Sequence, residues 1–330
     1  MIKTAEFVSP KHPDKICDFV ADSLLDAFLQ GDANSRVALE VMGGHNLMVI
    51  NGEVTSTTPT PTQHSNILEN VGMSGESLNI EQIVKGVVGN DFRVISNIVQ
   101  QSPEIAKGVD TGGAGDQGIM VGYACNETEN FMPLEYELAR NLCRKIFEVY
   151  PNDGKTQITL EDGKVITVVA SFQNAPHDQL LELVKNILPA EEYLINPAGD
   201  WQQGGFDSDT GLSGRKIVID AYGPNVPVGG GSFSGKDYTK VDRSGAYMAR
   251  KIAIDYLKKH SAKEVLVRLA YAIGKPLPVM AVAVIDGKEE AISGYDLSPK
   301  GIREFLHLDK ASFAATSQWG HFGNNFPWDN

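Results

Sequence analysis

Cysteine is scarce: 330 residues hold three, at positions 17, 125 and 143. An odd number at wide spacing excludes a paired zinc motif and a disulfide framework. No run of about 18 apolar residues suggests a membrane span, and residues 1–15 lack the apolar stretch of a secretory signal. Cations are also in deficit, with 29 Lys and Arg against 42 Asp and Glu and a formal net charge of −13. General binding to nucleic acid or to an anionic membrane depends on clustered cations, so neither is expected. A small anionic ligand stays open, because a few local Lys and Arg can reverse the field inside a cleft. These absences describe a reduced, cytoplasmic protein. Its 42% hydrophobic and 22% charged residues are globular proportions, and the length admits about one to three domains.

Periodicity predicts helices over 13–30, 133–149, 177–188, 245–260 and 299–305. Strands are predicted at 36–42, 46–50, 53–55, 155–160, 164–172, 215–220, 265–273 and 279–285, with turns at Gly43-Gly44, Asn51-Gly52 and Glu161-Asp162-Gly163. Residues 55–63 read as a loop, and 102–117, rich in glycine, as a mobile one. Hairpins and helices alternate, and a helix-with-hairpin group recurs about three times. That pattern favours α+β layers over a doubly wound sheet.

Residues 229–237, Gly-Gly-Gly-Ser-Phe-Ser-Gly-Lys-Asp, nearly match a phosphate-binding P-loop. Asp237 stands where the P-loop places the Ser or Thr that ligates Mg²⁺. No apolar strand leads into the loop either, since 222–228 carry Gly223, Pro224 and Pro227. The lysine and glycines suit a polyphosphate, held in some other way than in a P-loop NTPase.

Other segments share that character. His12-Pro13-Asp14-Lys15 opens a helix, whose N-terminus attracts phosphate; Lys and His could bind phosphate oxygens and Asp14 could hold Mg²⁺. Its plain reading is a proline-started helix with solvated charges. Asp116, in Gly113-Ala114-Gly115-Asp116-Gln117-Gly118, can accept hydrogen bonds or assist a metal, or can belong to an ordinary glycine turn. Arg215 and Lys216 put two cations at the mouth of a predicted strand, where alternation would turn them to opposite faces. Lys236, Lys240, Asp242 and Arg243 crowd the approach to a helix, with a charged surface as the alternative. Together they make an inventory for a polyphosphate with Mg²⁺.

In order and spacing these stretches resemble S-adenosylmethionine synthetases. Residues 12–15 are similar to that family's HPDK signature, 113–118 to its GAGDQG motif and 229–237 to its GGG-x-FSGKD motif. Further similarity lies at 101–103, 126–128, 195–197, 211–216, 241–244, 271–274 and 320–323, nearly the whole chain. The resemblance implies three interleaved α+β domains related by pseudo-threefold symmetry: 1–9 with 127–202, 10–106 with 320–330, and 107–126 with 203–319. It implies a two-step reaction in which methionine sulfur displaces triphosphate from ATP C5′ and the triphosphate is hydrolysed. By position, His12 and Lys15 would sit at phosphate, with Lys155, Arg215, Lys216 and Lys236 stabilising it. Asp116 would contact ATP, Asp153 would hold its ribose, and Trp201 would stack on adenine. Glu53, Gln101, Asp209 and Lys240 would cradle methionine. Asp14 and Asp242 would each serve a Mg²⁺, two per site, and Glu40 a K⁺. Residues 101–110 would gate the site, and two subunits would share each active site as a homodimer, with a dimer of dimers as a further assembly.

The chain also departs from the family pattern. Pro10-Lys11 replace a usual Glu-Gly, Asp200 stands where a basic residue is common, and 207–210 leave Asp207 as a competitor of Asp209. Two readings stand beside synthesis: another ATP-dependent enzyme, such as a kinase or tripolyphosphatase, and a non-catalytic regulatory subunit.

Overall fold

The computed structural model describes residues 1–58, 78–101 and 112–330. The expected loop at 55–63 lies mostly, and the expected gate at 101–110 almost entirely, outside them. Chain order is β1 (Ile2–Val8), α1 (Pro13–Gly31), β2 (Arg36–Gly44), β3 (Leu47–Thr55), α2 (Ile80–Val88), β4 (Arg93–Val99) and β5 (Gly118–Cys125). Then come α3 (Leu134–Val149), β6 (Gly154–Glu161), β7 (Lys164–Phe172), α4 (His177–Ile187), β8 (Glu192–Ile195) and β9 (Gly211–Leu212). The last part holds α5 (Ile217–Asp220), α6 (Val241–His260), β10 (Glu264–Tyr271), β11 (Met280–Ile285), β12 (Lys288–Ala291) and α7 (Pro299–Leu306).

Three units share one plan, a helix followed by an antiparallel hairpin: α1 with β2–β3, α3 with β6–β7, and α6 with β10–β11. In each, the hairpin's first strand takes an antiparallel neighbour from elsewhere in the chain, β9, β1 and β5 respectively. A further strand flanks the second: β4 and β8 run parallel to their neighbours, while β12 runs antiparallel. The result is three four-stranded sheets, β4-β3-β2-β9, β1-β6-β7-β8 and β12-β11-β10-β5, with pseudo-threefold repetition in an α+β fold. Strand β9, from residues 211–212, joins the sheet of β2 and not that of β10.

Local chemistry explains each unit. Pro13 occupies the first turn of α1 and His12 caps it, its ring accepting from Asp14 N. Cys17, Val20, Leu24 and Phe28 then recur on the face of α1 that is buried completely. The β2–β3 hairpin turns at His45-Asn46, both at positive φ (49° and 61°), which suits the twist of the flanking strands. In β5, Gly122 lets α6 approach so closely that a Cβ there would collide with the Ala249 backbone.

Three expected features differ. The turn expected at Gly43-Gly44 falls at His45-Asn46, with both glycines paired inside the hairpin to Met48 and Leu47. Asn51-Gly52 is no turn: β3 runs through it, with Glu40 paired to Asn51 and Leu39 to Gly52, and Gly52 leaves room for the Ala38 carbonyl. Residues 215–220 do not form a strand either; Asp220 N bonds to Lys216 O at 2.7 Å and α5 begins at Ile217. Its β-branched run made a strand the local choice, but the turn into α5 lets Arg215 and Lys216 face one carboxylate, which strand alternation forbids. β1, α2, β4, β5, β8, β9 and β12 lay outside the predicted elements, being short or weakly periodic.

Candidate active site

The first half of the site forms where α1 begins. Asp14 is fully buried, accepting from Leu212 N at 2.9 Å and Lys216 Nζ at 2.5 Å, with Arg215 Nε in an ion pair at 3.3 Å. Burial opposes its charge, yet the Lys216 ammonium and the Leu212 amide hold the carboxyl below its usual range. His12 Nδ1 accepts from Asp14 N at 3.2 Å, so a neutral ring carries its proton on Nε2. It is neutral: burial, helped by the Lys216 and Lys155 cations, lowers its pKa to about 3. Segment 211–216 is pinned to the end of β2 by Met42–Leu212 and Gly43–Gly211 pairing. Ser213 N donates to Val41 O, and Ser213 Oγ donates to the Glu40 carboxylate at 2.7 Å. Gly211 has no side chain because the Pro13 carbonyl occupies that space.

Asp153, Lys155 and Asp209 adjoin this half. Asp153 Oδ2 accepts from Gly205 N at 3.0 Å, and burial raises its pKa despite that bond and Lys155. The charges of Lys155 and Asp209 are both felt at His12. Trp201 is half-buried over Gly204, where a Cβ would meet its ring at 2.5 Å.

The second half lies further along β2. Residues 235–237 run beside that strand: Leu39 N donates to Gly235 O at 3.0 Å, Asp237 N to Val37 O at 3.1 Å, and Ala38 bridges Lys236. Asp237, the residue that spoils the P-loop pattern, is fully buried and holds Val37 N, Thr239 N and Lys240 Nζ, each at 2.7 Å. It is a clasp for the loop. Lys236 Nζ meets Asp242 Oδ2 at 2.5 Å, and Gly231 and Gly118 both lie against Asp242. The two glycine motifs therefore converge on Asp242, with Asp116 exposed nearby and bonded to its own Gln117 amide at 2.7 Å. In register across the sheet, Lys236 opposes Ala38 and Ala38 opposes Glu53. Lys236 and Glu53 are thus about 10 Å apart at the backbone, two strand spacings. Gln101 lies beyond β4, and its buried Oε1 has no hydrogen-bond partner.

Lys15 is elsewhere. It is 2% exposed, and its ammonium is held by Asp18 at 2.9 Å and by Asp220. Arg243 is not the solvated surface cation that was the plain reading; it is fully buried inside α6 and paired with Asp22. Asp18, Asp22, Asp220 and the interior role of Arg243 escaped the sequence reading. The available signal was Asp at 14, 18, 22 and 26, one helical face of α1. Among the described residues, no group of three or more His, Cys, Asp or Glu forms a metal cage, and no helix is long and apolar enough to cross a membrane.

Cations converge on single carboxylates, between glycine-rich loops, in an α+β protein. Comparison with known proteins makes the class specific. Models of the S-adenosylmethionine synthetase N-terminal, central and C-terminal domains match residues 1–103, 111–201 and 203–330. The chain belongs to the S-adenosylmethionine synthetase family. It is 39% identical to S-adenosylmethionine synthase 2 of Rhodospirillum rubrum, over 99% of this chain and 94% of that protein. Identity to the S-adenosylmethionine synthase of Mycoplasmopsis pulmonis is also 39%, over 99% and 95%. A solved structure described as an unusual S-adenosylmethionine synthetase from Campylobacter jejuni superposes with a TM-score of 0.84, at 31% identity, covering 100% of this chain and 96% of that one.

Proposed function

We propose that this site makes S-adenosylmethionine by attack of the methionine sulfur on ATP C5′, with the whole triphosphate leaving and then being hydrolysed to pyrophosphate and phosphate. The activity, methionine adenosyl transfer, is that of the family; the assignment of steps to residues is our reading. Its main support is the meeting of Arg215 and Lys216 on Asp14, together with Lys236 on Asp242.

A thioether is already a nucleophile, so no general base is required. The demand falls on alignment and on the charge of the departing triphosphate. Arg215, Lys216, Lys155 and Lys236 supply that charge. Neutral His12 offers Nε2–H toward a phosphate oxygen near the reacting carbon. Lys15, enclosed by Asp18 and Asp220, supports the helix start and is left out of the contact set. Asp153 is assigned to the ribose, Trp201 to the adenine face, and Asp116 to a nucleotide contact. Glu53, Gln101, Asp209 and Lys240 are assigned to methionine; the unsatisfied Gln101 Oε1 supports a ligand donor there.

The family uses a divalent metal and K⁺. The donors here fit that use in one manner: Asp14 and Asp242 each offer a lone carboxylate now neutralised by lysine, suited to a Mg²⁺ held mainly by phosphate oxygens and water. When bound, two such ions would neutralise charge on the triphosphate. Glu40, oriented by Ser213, is assigned to K⁺. We further assign the domain divisions 1–9 with 127–202, 10–106 with 320–330 and 107–126 with 203–319, and a homodimer sharing its sites. Burial of all three cysteines as free thiols suits the cytoplasm.

The test is incubation of the pure protein with ATP, methionine, Mg²⁺ and K⁺. Methionine-dependent S-adenosylmethionine with pyrophosphate and phosphate is the expected outcome. ADP would indicate a kinase, and no turnover with activation of an active partner would indicate a regulatory subunit.

A further inference from the structure

Four aspartates spaced by four residues line one face of α1, and each accepts a backbone amide from a distant loop. Asp14 takes Leu212 N at 2.9 Å, and Asp18 takes Gly214 N at 2.8 Å. Asp22 takes Gly235 N at 2.8 Å, and Asp26 takes Phe313 N at 2.8 Å and Ala314 N at 3.0 Å. Gly214 immediately precedes Arg215 and Lys216, and Gly235 immediately precedes Lys236. With 1.5 Å of rise per residue, each rung is about 6 Å from the next. The helix therefore sets how far one cation pair stands from the other cation.

Bare, such a ladder would repel itself. The middle rungs carry counter-charges instead: Lys15 on Asp18 at 2.9 Å, and Arg243 on both oxygens of Asp22 at 2.8 and 2.7 Å. Arg243 also donates to Lys236 O at 2.9 Å, so the lysine's own peptide is fixed from below. Asp18 and Asp22 are fully buried. Neither can touch a substrate.

We infer that Asp18 and Asp22 are positioning residues for the transfer reaction, holding Gly214 and Gly235 so that Arg215, Lys216 and Lys236 are spaced to grip one triphosphate. This rests on the reading that those cations bind triphosphate. A shift of about 1 Å in a positioned group can cost about a hundredfold in rate, and loosening either rung permits such a shift.

Asp18→Ala, Asp18→Asn and Asp26→Asn separate the idea from general loss of stability. Titration of inorganic tripolyphosphate with Mg²⁺ into Asp18→Ala should show binding about tenfold or more weaker than wild type. Its kcat should fall about 10- to 100-fold, with the methionine KM unchanged. Asp18→Asn keeps a carbonyl for Gly214 N–H and should recover part of the loss; it carries the test alone if the alanine variant does not fold. Asp26→Asn, which weakens only the hold on the 312–314 turn, should lower the melting temperature and leave tripolyphosphate affinity intact. Wild-type affinity in the folded Asp18 variants overturns the inference, as does an equal loss in Asp26→Asn. A wild-type protein that fails to bind tripolyphosphate overturns the functional reading itself and the inference with it.

Discussion

Gly214 and Ser232 touch: a Cβ on Gly214 would lie 2.6 Å from the Ser232 Cβ. This contact joins the loop that carries Arg215 and Lys216 to the glycine loop that leads to Lys236. Gly214 also sits at φ +76°, in the left-handed region. Gly214→Ala should therefore be doubly unfavourable, losing about 1–2 kcal/mol from backbone strain alone and pushing the two loops apart. Chemical denaturation should show the stability loss, and the ATP KM should rise. An alanine variant with both values unchanged would contradict this account of the contact.

Lys236→Ala removes a cation that is partly exposed and paired with Asp242, outside the hydrophobic core. We expect triphosphate cleavage and S-adenosylmethionine formation to fall by about a hundredfold or more, with a near-normal melting curve. Phosphate release from tripolyphosphate is the direct measurement. Wild-type turnover in the folded variant would remove Lys236 from the triphosphate contacts.

Asp242→Asn keeps the shape and the neighbours Gly118 and Gly231 but removes the negative charge from the position proposed for a Mg²⁺. The expected signature is a higher Mg²⁺ concentration for half-maximal activity, by about tenfold, with substrate KM values measured at saturating Mg²⁺ little changed. Overlapping Mg²⁺ titrations for variant and wild type would be the contrary result.

Asp18 and Asp220 share one ammonium, that of Lys15. Burial above all, and then the neighbouring carboxylates against the pull of Lys15, raise the Asp220 pKa from 3.8 to about 7. A carboxyl raised on folding binds its proton more tightly in the native state. Its stabilising contribution is complete below 3.8 and is lost as the pH rises through about 7. Asp220→Asn mimics the protonated form at every pH. Its melting temperature, relative to wild type, should therefore climb by about a few degrees between pH 5 and pH 8. A difference that stays flat or falls over this range would show that Asp220 is ionised throughout.

Much of this molecule was legible before its structure. The helices at 13–30, 133–149 and 177–188 and the hairpin at 155–172 follow from periodicity, because each has one buried face and turn residues at its ends. The family motifs led to the loops that the fold brings together at Asp14 and Asp242. What stayed hidden was set by tertiary contact. Ile217-Val218-Ile219 has the local preference of a strand, and tertiary contacts hold the turn there: Asp14 on Arg215 and Lys216, Tyr136 on the Ile219 carbonyl and Lys15 on Asp220. Arg243 has the composition of a surface residue, and only its pairing with Asp22, 221 positions away, puts it inside. Asp237 looked like a defect because its partners, Val37 and Lys240, come from different parts of the chain.

The sheet interleaving bears on how the chain is made. Thr4 of β1 bonds across to Ile158 of β6, 154 residues later, and β5 finds β10 only at residues 264–271. On a ribosome adding about 5–20 residues each second, β1 waits about ten seconds or longer before its partner exists. During that interval an extended, partly apolar segment has no edge to pair with, and non-local pairing is slow even once the partner emerges. Cutting the chain at 103 or 201 would leave β1 or β5 permanently without its neighbour. The three sequence-contiguous stretches are therefore not three folding units, and the protein matures as one vectorially completed whole.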